Sequence, residues 1–144
     1  MKHTGRTGWV ASRKDTYSLD VALRPIIAAG LRKFIEVAKD KGVPGVLCED
    51  DTPFEESRLL WLNTLEKMLY AFESKEPDIN DFDFDFEFIT DNKVVASIQD
   101  DVPYTIEVVG KQNYEKFREL EKEYEQRVQE GLDLFAKYYK NLWW

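Results

Sequence analysis

The sequence predicts a mainly helical α+β fold: three main helices packed around a small antiparallel hairpin or meander, in a single domain of residues 1–144. Three observations carry that expectation. A continuous apolar stripe at helical period runs through residues 111–142. Thr52-Pro53-Phe54-Glu55 reads as a helix start, with a threonine cap, proline at the first position and a glutamate able to close a capping box. Between them the period changes to 2, because Phe82-Asp83-Phe84-Asp85-Phe86-Glu87-Phe88 alternates without a break.

Taken in order, residues 1–16 form a polar, basic N-terminal segment expected to be irregular, with Trp9-Val10-Ala11 as its anchor. Ser18 is a good N-cap and Asp20 sits in the first turn, so a helix over 18–41 follows. Its apolar face reads as Leu19, Leu23, Ile26, Ile27, Gly30, Leu31, Phe34 and Ala38. Pro25 inside that pattern predicts a kink or a restart. Gly42 is the expected stop, with Val43-Pro44-Gly45 as a turn.

The second helix, 53–74, has Phe54, Trp61, Leu62, Leu65, Met68, Leu69 and Phe72 on its main face. Leu59, Leu60, Tyr70 and Ala71 lie on the other side, so the helix is apolar nearly all round and expected to be central. An acidic linker broken by Pro77 precedes the β region, 82–109. There the alternation places phenylalanines inward and carboxylates outward, Thr90 to Lys93 turns the chain, and Val94–Ile98 and Tyr104–Val109 supply further strands. Gly110 leads into the last helix, 111–142, whose stripe is Phe117, Leu120, Tyr124, Val128, Gly131, Phe135, Tyr138, Tyr139 and Leu142. The last turn, with Trp143 and Trp144, is expected to dock against the domain. Glycine mid-helix costs about 1 kcal/mol relative to alanine, so Gly30 and Gly131 predict a close crossing of the first and last helices.

Composition narrows the class. Hydrophobic residues make up 43% and charged residues 33%, which suits a folded globular chain. No stretch approaches the roughly 20 apolar residues that span a bilayer, and the start leads into no apolar run. The single cysteine, Cys48, excludes an intrachain disulfide and fits a reducing compartment. A cytoplasmic protein with no membrane partner is the expectation. The net charge of −8 is unevenly spread: residues 1–34 carry +5 and residues 48–101 carry −12. Such a chain is poorly suited to duplex DNA, where binding relies on neutralising phosphates.

The inventory of chemistry is mostly one of absences. One Cys and one His cannot make a zinc site of that type, and His3 is poorly placed for a nucleophilic triad. No phosphate-cradling glycine loop is present. No catalytic residue, metal ligand set or cofactor is therefore assigned. Carboxylates remain: Glu49-Asp50-Asp51, and the row Asp81, Asp83, Asp85 and Glu87, a candidate acidic face for a partner. Alternate strand residues lie about 7 Å apart, too far for neighbours to share a small ion unaided, so a solvated face is favoured over a Mg²⁺ or Ca²⁺ site. Arg24, Arg58 and Arg127 fall on or near apolar helical faces, where a guanidinium needs a partner. With Arg13, Lys14 and Tyr138 they are the candidate anion-binding or partner-binding set.

Glu130-Gly131-Leu132-Asp133-Leu134-Phe135-Ala136-Lys137-Tyr138-Tyr139, closed by Asn141-Leu142-Trp143-Trp144, resembles the C-terminus of small acidic proteins encoded by tailed phages and prophages. The segment Tyr17-Ser18-Leu19-Asp20, followed by a helix like Ile26–Phe34, is similar to the start of those proteins. The resemblance covers both ends of the chain and not its middle. It implies a phage origin, a shared fold and residence in the host cytoplasm, and carries over no active-site residue. The expected function is a non-enzymatic accessory protein that binds a host protein by protein–protein contact, as in counter-defence. A nucleotide-sequestering binder with an arginine–tyrosine pocket and a metal-dependent hydrolase are the alternatives, and self-association into a homo-oligomer is a further reading of the split charge.

Overall fold

Helix α1, Leu19–Lys41, is one uninterrupted element with Pro25 inside it. Pro25 lies in the second turn, where it removes only the bond to the Val21 carbonyl, and the helix continues through it rather than restarting. The computed structural model describes residues 2–3, 9–41, 53–90, 93–95 and 103–142. The expected turn at Val43–Gly45, the acids Glu49-Asp50-Asp51, the Thr52 cap and the final Trp143-Trp144 fall outside the described residues. Ahead of α1, the segment read as irregular contains a two-residue antiparallel pair, β1 (Lys2–His3) with β2 (Trp9–Val10), and a short 3-10 helix at Arg13–Thr16. The Asp15 carboxylate accepts from both the Ser12 amide and the Ser12 hydroxyl, which fixes that short helix's start.

Helix α2 spans Phe54–Phe72 and lies between α1 and the C-terminal part of α3, which spans Lys111–Tyr138. Leu31, Ile35 and Ala38 of α1 meet Trp61, Leu65 and Met68 of α2 in the buried core, with Leu134, Phe135, Tyr138 and Leu142 packed on it. Aromatic edges lock the layers: Trp61 stands edge-on to Phe34 at 6.5 Å and to Tyr138 at 5.6 Å, and Phe72 to Phe135 at 5.0 Å. Two details depart from expectation. The buried face of α1 is rotated toward Ala28 and Ile35, leaving Leu19 and Gly30 exposed. Phe54, expected on the main buried face of α2, is 57% exposed, and Glu55 beside it pairs with Arg58 at 2.9 Å.

The expected α1–α3 crossing does not use the two glycines. A Cβ on Gly131 would press into the Lys67 carbonyl and lie 2.8 Å from the Ala71 methyl, so the close approach is between α3 and α2. A Cβ on Gly30 would meet nothing within 4 Å. The reason is that α2 occupies the place beside Gly131.

The fold is thus mainly helical α+β, three helices with a small three-stranded antiparallel sheet. That sheet has the order β4-β3-β5, with β3 at Asp85–Thr90, β4 at Lys93–Val95 and β5 at Thr105–Val109. Contacts divide the chain into two compact units, residues 1–75 with 126–144, and residues 76–125. The ladder begins at Asp85 rather than Phe82 because its partner stops: β5 ends at Val109, and Gly110, at φ +76°, turns the chain into α3. The Asp83 carbonyl, left without a strand partner, accepts instead from the Asn113 side chain at 2.9 Å. Phe82 and Phe84 pack against Phe117 and Tyr114 of α3, as inward phenylalanines should. Among the described residues no helix is long and apolar enough to cross a membrane.

Candidate functional site

In the helical unit, Arg24, Ala28 and Arg32 recur every four residues and so form one stripe along α1. The stripe faces the C-terminal end of α2, where Glu73 leaves the helix in an extended conformation and Ser74 and Lys75 follow. Between them lies a cavity of about 510 Å³. Glu73, its side chain only 19% exposed, receives Arg32 at 3.0 Å and is also ion-paired with Lys75. The hydrogen bond from Lys75, aided by Arg32 and opposed by partial burial, holds the Glu73 carboxyl below its usual pKa. Arg24 lies 3.8 Å from Asp20 one turn earlier.

Glu73 and Lys75 also line a second cavity, of about 440 Å³, against the C-terminal part of α3. Here the Arg127 guanidinium lies over the Tyr70 ring at 3.9 Å, and the Lys75 ammonium stands 5.3 Å from the same ring. Lys67 and Glu130 pair across the opening at 2.6 Å. With Glu66 and Glu73 also present, the charges of this second cavity nearly balance.

The candidate cations therefore separate. Arg24 lines the first cavity and Arg127 the second, and the two cavities share Glu73 and Lys75. Arg58 lies elsewhere, held by Glu55 and donating to the Lys39 carbonyl near the end of α1, a helix-terminating role. Arg13 and Lys14 sit in the exposed 3-10 helix before α1. Tyr138 stands edge-on to Trp61 in the core, with the Lys137 ammonium 4.9 Å from the Tyr138 ring, and lines neither cavity. The residues that sequence reasoning passed over are Arg32, Tyr70, Glu73 and Lys75. Arg24 and Arg32 flanking a small alanine at four-residue spacing was the available signal.

In the other unit, the sheet has two unlike faces. Phe86, Phe88, Val95, Ile106 and Val108 share one, and Tyr114 rests on Phe84 and Phe86 at one end of it, although Phe86, expected inward, stays 42% exposed. Ile106, at 55% exposure, and Tyr104 remain open. On the opposite face Glu87 stands directly across from Glu107, with Asp85 alongside. Asp85 and Glu87 belong to that row; Asp81 lies in a 3-10 turn at Ile79–Asp81 and Asp83 precedes the strand. The unit 76–125 carries fifteen acids and five bases, a net of −10, whereas the helical unit is +2. Among the described residues no group of three or more His, Cys, Asp or Glu could hold a metal ion.

Comparison with known proteins leaves the geometry to speak alone: no family model, no curated protein and no solved structure matches the chain.

Proposed function

We propose that the protein is a non-enzymatic binding protein that engages a basic surface on another protein through the acidic face of its sheet. Glu87 opposite Glu107 is the observation that carries this reading. Like charges directly opposite on antiparallel strands destabilise a sheet, and here a third carboxylate, Asp85, joins them in a unit of net charge −10. A cationic partner relieves that repulsion, so affinity and partner choice come from charge complementarity. The open apolar residues Tyr104 and Ile106 on the reverse face give the same unit a second contact surface.

The origin we propose is a tailed phage or prophage, on the strength of the Gly131–Tyr139 and Tyr17–Asp20 segments, and the partner a host protein. The test is affinity capture from bacterial lysate on the immobilised full chain, beside a Glu107→Lys variant. A specific partner should be retained by the parent, released as salt rises, and lost by the variant. Retention that is indifferent to both salt and the variant would reject the acidic face as the docking surface.

A further inference from the structure

We infer that the cavity between the Arg24–Ala28–Arg32 stripe of α1 and the end of α2 is a binding site for a nucleoside phosphate. It lies in the helical unit and does not depend on the sheet's role as a docking surface. Its volume, about 510 Å³, falls within the range of small-molecule sites.

The lining has two characters. Val21, Pro25 and Phe72 supply its apolar lining, and the Phe72 ring is held in place by its edge contact with Phe135. A fixed aromatic surface of this kind accepts a stacked base or a sugar edge at little ordering cost. Arg24, Arg32 and Lys75 supply its cationic lining. Guanidinium groups present forked donors that match phosphate oxygens, and a lysine adds a compact point charge. Against these three cations stand two carboxylates, Glu73 and the Asp20 that pairs with Arg24, and the partial negative end of the α2 dipole, equivalent to roughly half a charge. The mouth keeps a small positive excess, and its three donors exceed the carboxylates that hold them. A purely apolar ligand would leave the cations unused, and a bare inorganic anion would leave the apolar wall unused.

Glu73 has a defined part in this arrangement. By bridging Arg32 and Lys75 it holds both donors at the cavity in the empty protein. An incoming phosphate takes over those donors, so Glu73 competes with the ligand for them. Removing the carboxylate and removing a cation then have opposite effects on affinity, which a purely structural ion pair would not produce.

Isothermal titration calorimetry of the full chain with AMP, ATP, adenosine and inorganic phosphate tests the assignment. AMP or ATP should bind more tightly than adenosine or phosphate alone. Arg32→Gln and Lys75→Gln should each weaken nucleotide binding by about tenfold or more, the effect of losing a charge-assisted hydrogen bond. Glu73→Gln should tighten it. Lys33→Gln, which removes an α1 charge paired with Glu36 away from the cavity, should leave it unchanged. Thermal melts of each variant without ligand confirm that it is folded. The assignment is overturned by any of three results: no nucleotide binding at millimolar concentration, equal affinity for inorganic phosphate and nucleotide, or equal loss in Lys33→Gln and Arg32→Gln.

Discussion

Replacing Gly131 by alanine adds a single methyl group, and the structure says where it goes. The new Cβ would press into the main-chain carbonyl of Lys67 and sit 2.8 Å from the Ala71 methyl. A flexible side chain could move aside, but the carbonyl belongs to the hydrogen-bonded frame of α2, so the helices must separate. Overpacking of this kind costs about 1–3 kcal/mol, and contact with backbone belongs at the upper end. Alanine's better helix propensity returns about 1 kcal/mol. The net expectation is a loss of about 2 kcal/mol, or a melting temperature lower by roughly 4–8 °C for a chain of this size. Gly131→Leu should be worse. Gly30→Ala is the matched control, because its methyl meets nothing within 4 Å; it should gain up to about 1 kcal/mol from propensity alone. Urea unfolding followed by far-ultraviolet circular dichroism measures both. If Gly131→Ala proves as stable as the parent, or if the two glycines respond alike, the close α2–α3 approach is not the reason glycine stands there.

Four further expectations follow from single residues. Ser57→Ala should raise the urea midpoint, since the Ser57 hydroxyl is buried without a hydrogen-bond partner among the described residues, and alanine also favours the helix. Gly110→Ala should destabilise by more than about 1 kcal/mol, because φ there is +76° and a Cβ would lie 2.7 Å from the Asp83 carbonyl oxygen; an unchanged melt would count against it. Glu107→Lys should slightly raise the melting temperature by turning its pairing with Glu87 from repulsion to attraction, while abolishing partner capture. Glu73, whose folded-state pKa is lowered, contributes stability that is full above its unfolded value near 4.5 and is lost as pH falls through the folded value. Glu73→Gln should therefore flatten that part of an acid titration of stability.

What could be read from the sequence was whatever depends on near neighbours along the chain. The helical period placed Trp61, Leu65 and Met68 in the core because large apolar residues dominate any wheel. The same wheel found Ala38 but passed over Ala28 of α1, which is buried too: small residues carry little hydrophobic weight, yet they are what allows a neighbouring helix to come close. Likewise the alternation from Phe82 to Phe88 marks a strand, but a strand ends where its partner ends. The positive φ at Gly110, more than twenty residues later, sets that end at Asp85.

The candidate site follows the same rule with greater force. Arg24 stood out because it interrupts an apolar face, and Arg58 met a near partner in Glu55, three residues away. Arg32 and Glu73 are forty-one residues apart and meet only because α2 packs alongside α1 and its last turn ends beside Arg32. Lys75 belongs by sequence to an acidic linker, where a lone lysine reads as a solvated charge; its ion pair with Glu73 makes it part of a cationic cavity. Charge shows the same dependence. A tally along the chain groups Glu55, Glu56 and Glu66 with the acids of the β region, whereas the fold assigns them to the helical unit and gives the first half of α3 to the acidic one. Only after that reassignment does the charge of each unit emerge: a helical unit at +2, whose cavity gathers Arg24, Arg32 and Lys75, and a sheet unit at −10. The two proposed sites draw on different residues, Arg32 and Lys75 for a nucleotide and Glu107 for a basic protein, so each binding should be abolished by a substitution that leaves the other intact.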